Sequence, residues 1–79
     1  MNKNKERYEF AKEFGRRLQE RMEELELSQC ELSRRTGVPQ MNISSYIRAT
    51  RSPSVYVLSK LAVGLQLAPS ELIDFVMIL

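Results

Sequence analysis

Gly37, Pro39, Pro53 and Pro69 punctuate the chain, and the apolar residues between these stops recur at helical spacing. Glycine takes up a left-handed conformation at little cost and proline breaks a helix interior, so each marks an end or a start. Ahead of the first stop, Phe10, Phe14, Leu18, Met22 and Leu25 follow at steps of four, four, four and three, and therefore share one face of a first helix. Glu9, Lys12, Glu13, Arg16, Arg17, Glu20, Glu23 and Glu24 read as its solvated face, with Glu13 and Arg17 in the favourable order at i, i+4. Residues 1–9 are expected to form an N-terminal extension, frayed over its first few residues and then leading into this helix.

Ser28 and Glu31 make a capping box that starts a second helix at Gln29, and Gly37 ends it after about eight residues. Pro39 suits the first turn of a third helix, whose apolar positions are Ile43, Tyr46 and Ile47. Ser54 opens a fourth with Val55, Leu58, Leu61, Ala62 and Leu65. After a brief break at Gln66 and Leu67, Pro69 starts a fifth with Leu72, Ile73, Phe75 and Val76. No window alternates with period two for long enough to argue for a strand. The expected fold is all-α: five short helices around one core, with residues 10–72 as the domain and 73–79 as the apolar end of helix 5.

At 79 residues the chain holds one small core and leaves no room for a catalytic or effector-binding second domain. With 43% apolar and 28% charged residues it belongs with globular chains rather than disordered ones. A single cysteine, Cys30, excludes an internal disulfide, and with no histidine a zinc site is implausible. The opening MNKNKERYEF lacks the apolar run of a secretory signal, and FVMIL is far short of a bilayer span. A cytoplasmic protein is expected, with no membrane association, no cofactor and no small-molecule ligand. Without histidine, a convergent acid pair or a phosphate-binding glycine loop, an enzyme is not expected either.

The net charge of +2 is unevenly spread. Between Leu32 and Ser70 stand Arg34, Arg35, Arg48, Arg51 and Lys60 and no acid, whereas residues 1–31 and 71–79 are both net negative. One sign over half a chain is an electrostatic footprint for a polyanion, though a solvated basic surface would read the same way.

A helix of about eight residues, a glycine turn and a second helix of about nine make a helix-turn-helix unit. The segments FGRRLQERMEELELSQ (Phe14 to Gln29), ELSRRTGVPQMNISSYIR (Glu31 to Arg48) and SPSVYVLSKLAVGLQLAPSEL (Ser52 to Leu72) carry a resemblance to the lambda-repressor-like, Xre/Cro-type DNA-binding domains. No segment is specific alone; their order and spacing are. The resemblance implies that Leu32, Val38, Ile43 and Tyr46 pack the unit together, with Ser33 where the family usually has alanine. Met22 and Ile47 replace a family Arg–Glu pair, a joint change that leaves no orphaned buried charge. Glu26 and Gln66 occupy turns where the family commonly has glycine, and Thr36 is more polar than the usual residue.

The same resemblance places the third helix in the major groove of double-stranded DNA. Gln40, Met41 and Ser45 match the family's main base-contacting positions, with Asn42 and Ser44 nearby. Gln and Asn can bond adenine bidentately and Met41 can rest on a thymine methyl, while no Arg or Lys, the usual guanine readers, lies within Gln40 to Ile47. A·T pairs are therefore expected at the discriminating positions. Phosphate contacts are expected from Gln29, Arg34, Arg35, Arg48 and Arg51.

The tail ELIDFVMIL is more apolar than one face of a terminal helix needs, which points to a homodimer contact through Leu72, Phe75, Val76, Met77 and Leu79. A tail folded back on its own domain, or one that belongs against a further domain, would carry the same pattern. The expected function is a small sequence-specific transcriptional regulator, a repressor of the phage or mobile-element kind acting as a homodimer on a near-palindromic operator. The competing class is an antitoxin that neutralises a protein partner and autoregulates through its helix-turn-helix.

Overall fold

The computed structural model describes the backbone of residues 3–78 and the side chains of residues 5–76. Its helices are α1 (Lys3–Glu24), α2 (Gln29–Thr36), α3 (Gln40–Ile47), α4 (Val55–Gly64) and α5 (Pro69–Leu72), followed by a 3₁₀ helix over Asp74–Ile78. The described part of the extension is thus helical from Lys3 and continuous with α1. No strand occurs among the described residues, and no helix there is long and apolar enough to cross a membrane.

Local chemistry sets most of the boundaries. At α2 the Glu31 amide donates to Ser28 Oγ at 3.0 Å and the Ser28 amide donates to Glu31 Oε1 at 3.2 Å, completing the capping box. Gly37 at φ 78° ends α2 and donates its amide to the Ser33 carbonyl. Pro39 stands just outside α3, at its N-cap, so α3 begins one residue later than its placement in the first turn implied. Ser54 Oγ accepts from the Val57 amide at 3.1 Å and starts α4. Pro69 leads α5, where the Ala68 amide donates to Glu71 Oε1 at 2.9 Å.

The apolar stripe of α1 faces the centre: Phe14, Leu18 and Met22 are buried, with Phe10 and Leu25 half-buried at its ends. They meet Leu32, Ile43, Tyr46, Leu58, Leu61, Leu65, Leu72 and Phe75 in one cluster. Burial of side chains this size contributes roughly 1.5 to 3 kcal/mol each before conformational entropy is counted. Phe14 meets Tyr46 edge-on with ring centroids 6.2 Å apart, tying α1 to α3. Beside this contact α1 comes so close that a Cβ on Gly15 would lie 2.4 Å from the Tyr46 carbonyl oxygen and 2.9 Å from that of Ile47.

Two expectations about charged and apolar surfaces need correction. The polar side of α1 is not uniformly solvated. Arg17 is half-buried, pairs with Glu13 at 3.1 Å and with Asp74, and lies over the Phe75 ring at 5.0 Å from its centroid. Arg21 donates from Nε to the Leu65 carbonyl at 2.9 Å, satisfying the C-terminal end of α4.

The fifth helix is also not continuous to the end. It stops at Leu72, Ile73 takes φ −128°, and the chain resumes as the 3₁₀ helix. The break turns Phe75 inward against Phe10, with centroids 5.5 Å apart. Leu72 and Phe75 are 1% and 4% exposed, so both are consumed by the domain's own core rather than presented to a second copy. Val76 is exposed at 45%. The Met77 side chain and Leu79 lie outside the described residues.

Two predictions come from this packing. Gly15→Ala should lower the urea midpoint by an amount equivalent to about 1 to 3 kcal/mol, because its methyl meets backbone rather than a side chain that can turn away; an unchanged midpoint would show that α1 and α3 do not approach so closely. The second concerns Glu13, whose carboxyl is held down to about 2 from 4.5, chiefly by its hydrogen bond with Arg16 and also by that with Arg17, against the opposing effect of burial. A depressed carboxyl contributes stability that is full above its unfolded value and lost as pH falls toward the folded one. The stability gap between wild type and Glu13→Gln should therefore narrow from about pH 4.5 down to about pH 2, measured by denaturant titration at each pH.

Candidate nucleic-acid interface

The unit formed by α2 and α3 is fixed by its turn. Ser33 Oγ donates to the Val38 carbonyl at 2.7 Å, and Thr36 Oγ1 donates to the Leu32 carbonyl at 2.8 Å while accepting from the Val38 amide at 3.2 Å. Both polar groups of Val38 are thus satisfied although the residue is buried. This accounts for a threonine at position 36. Its methyl lies against α4, where a Cβ on Gly64 would come within 2.4 Å of Thr36 Cγ2 and 3.1 Å of Leu32 Cδ1. Leu32, Val38, Ile43 and Tyr46 are all buried, and Ser33 is half-buried at the turn.

With Ile43 and Tyr46 turned inward, α3 offers its other side to solvent. Gln40 and Met41 are exposed, Met41 at 78%. Asn42, Ser44 and Ser45, the other candidate base-facing positions, are half-buried. Ser45 Oγ donates to the Met41 carbonyl at 3.0 Å, so its hydroxyl proton is used within the helix. Asn42 is oriented from outside: Arg51 Nη1 donates to its Oδ1 at 2.9 Å, leaving the Asn42 amide protons as its free donors.

Arg51 reaches Asn42 because the chain reverses sharply after α3. Ala49 takes φ 62°, the Thr50 amide donates to the Ser45 carbonyl at 3.0 Å, and Thr50 Oγ1 donates to the same carbonyl at 3.2 Å. Arg48 is exposed and donates from Nε to the Ser44 carbonyl at 3.3 Å. Glu26 and Gln66, at φ 55° and 60°, have the left-handed backbone that the glycines of related turns suggested. Ala49 is a third such position.

The remaining expected phosphate contacts are dispersed. Gln29 is half-buried at the first position of α2, and Arg34 is exposed on that helix. Arg35 lines a depression with Thr36, Ser59, Lys60 and Val63, between α2 and α4. Glu31, in the first turn of α2, has its carboxyl held below the usual range by the Ser28 amide and hydroxyl, with Arg34 and Arg35 adding to the effect. Two further groups beside the turn were not singled out from sequence. Lys60 Nζ lies 5.5 Å from the Tyr56 ring centroid, and both residues line a depression with Gly37, Val38 and Pro39. Their relation to the turn depends on how α4 packs, which local spacing does not reveal.

A family model described as helix-turn-helix matches residues 18–72, well over half of the chain. The chain belongs to the Xre and lambda-repressor-like helix-turn-helix family. Comparison with curated proteins and with solved structures returns no match. The matched region contains the whole of α2, the turn, α3 and α4, so this helix-turn-helix domain carries the family's DNA-binding character. Among the described residues no group of three or more His, Cys, Asp or Glu side chains is placed to hold a metal ion.

Because Thr36 Oγ1 answers both the Leu32 carbonyl and the Val38 amide, Thr36→Val should destabilise the helix-turn-helix domain by about 1 to 3 kcal/mol despite its similar shape. Chemical denaturation followed by circular dichroism measures this. A variant as stable as wild type would mean that the turn does not depend on the hydroxyl.

Proposed function

We propose that this helix-turn-helix domain is a sequence-specific regulator of transcription that acts as a repressor, occupying an operator in double-stranded DNA and blocking polymerase there. The observation that carries this reading is the outer side of α3. Gln40 and Met41 project from it, Asn42 is oriented by Arg51, and the flanking segment from Leu32 to Ser70 has no acid to repel a phosphate backbone.

Gln40 and Asn42 supply amide groups suited to adenine, and Met41 supplies an apolar contact for a thymine methyl. Ser44 and Ser45 lie nearer the helix backbone and would accept more than one base. Gln29, Arg34, Arg48 and Arg51 are suited to phosphates around these pairs, while the position of Arg35 between α2 and α4 suits the outer edge of such a footprint.

An eight-residue α3 can face only a few base pairs, so two copies on a near-palindrome would supply discrimination that one cannot. A homodimer acting in the cytoplasm is the corresponding proposal, with its two α3 helices about 34 Å apart. Val76 remains available for a contact between copies.

Selection of binding sites from a random duplex pool tests the reading. We predict near-palindromic sites with A·T-rich half-sites about one helical turn apart. Gln40→Ala should then relax the preference at one position in each half-site by about 1 to 3 kcal/mol, with the fold unchanged by circular dichroism. Recovery of no preferred sequence, with weak binding that disappears as salt rises, would sink the regulator reading and favour the antitoxin alternative, a module that binds a protein toxin.

A further inference from the structure

Arg7 and Tyr8 of α1 line a shallow depression together with Thr50, Arg51 and Ser52 of the α3–α4 loop. The α1 side of this depression lies ahead of residue 18, outside the part of the chain that the family model matches. Two arginines, a tyrosine, a threonine and a serine are among its lining residues, and no Asp or Glu is.

Elsewhere on α1 the arginines are matched with acids: Arg16 with Glu13 and Glu20, Arg17 with Glu13 and Asp74, Arg21 with Glu24. Among the described residues neither Arg7 nor Arg51 has such a partner. Arg51 is instead anchored to Asn42, so one wall of the depression is physically joined to the outer side of α3. Two like charges bordering one depression repel each other until an anion lies between them. A phosphodiester has two unesterified oxygens, one for each guanidinium, and can take further hydrogen bonds from hydroxyl groups.

We propose that this depression binds a DNA backbone phosphate flanking the base pairs that α3 faces, which makes the N-terminal turns of α1 a second arm of the interface. The inference rests on the DNA-binding reading above. On it, the α3–α4 loop has two roles: Arg51 orients a base-facing amide and shares a phosphate with Arg7.

The test uses the full chain and the operator recovered by selection, measuring affinity from about 50 to 200 mM salt for wild type, R7Q, R7K, R51Q and the R7Q/R51Q double variant. On one shared phosphate either guanidinium alone still displaces the counterion, so R7Q and R51Q should each lower affinity several-fold while keeping most of the slope of log affinity against log salt. The double variant should lose about 0.9 in slope, the value for one phosphate. R7Q should weaken binding alike on operator and scrambled duplexes, and R7K should keep most of the affinity. A loss of about 0.9 for each single variant and about 1.8 for the double would assign separate phosphates and overturn the shared site. Wild-type affinity for R7Q together with a wild-type slope for the double variant, on an operator that Gln40→Ala still disrupts, would overturn the inference and leave the DNA reading standing. Absence of sequence-selective binding by the wild type would overturn both.

Discussion

The missing side chain of Gly15 allows α1 to touch the backbone at the C-terminal end of α3, and the presentation of α3 depends on that approach. With the two helices this close, the edge of Tyr46 meets the Phe14 ring, and Ile43 turns into the same core. Once those residues face inward, the helical period leaves Gln40 and Met41 no orientation but outward. A second close approach, at Gly64, seats Thr36 and Leu32 against α4 and fixes the other half of the helix-turn-helix unit. The unit is therefore held from both sides by close approaches at glycines, a placement that suits the proposed reading of base edges, since hydrogen bonds to bases tolerate little displacement of the donor.

The helix boundaries were legible because the signals that set them are local. Ser28 with Glu31, Gly37, Ser54 and Pro69 act within one turn of themselves, and each stands where its chemistry required. Pro39 moved by one position, a small shift that leaves its φ of −57° suited to entering a helix. The left-handed backbones at Glu26 and Gln66 were legible only through the glycines of similar turns, and Ala49 gave no such hint. Thr36 needed the fold itself: its hydroxyl answers one group in its own helix and one beyond the turn, and its methyl needs the space left by Gly64.

Spacing also placed the candidate DNA-facing residues on one side of α3 without ranking them. Gln40 and Met41 are the open positions, whereas Asn42 is tied to Arg51, Ser45 to the Met41 carbonyl, and Ser44 is half-buried. For Asn42 the difference arises from the sharp reversal at Ala49, which brings a loop arginine back over the helix it has just left. No periodicity in the sequence encodes such a return. The place of Arg7 beside that loop is hidden for the same reason, since it depends on where the start of α1 lies relative to residues more than forty positions later.

The C-terminal segment shows how a change of helix type can resolve an apparent excess of apolar residues. On one continuous α-helix, Leu72, Ile73, Phe75 and Val76 would spread around more of the circumference than a single core can cover. The break at Ile73 and the 3₁₀ turn that follows instead return Phe75 to the core, against Phe10 and beneath the Arg17 guanidinium. Asp74, on the outer side of the same turn, pairs with Arg17. The arginine that looked like part of a solvated face is thus the residue that fastens the tail to α1. A contact between two copies must therefore draw on side chains that the core leaves exposed, Val76 and the α4 residues Val55, Tyr56 and Val63 being among them, because releasing Leu72 or Phe75 would open the domain it was meant to join.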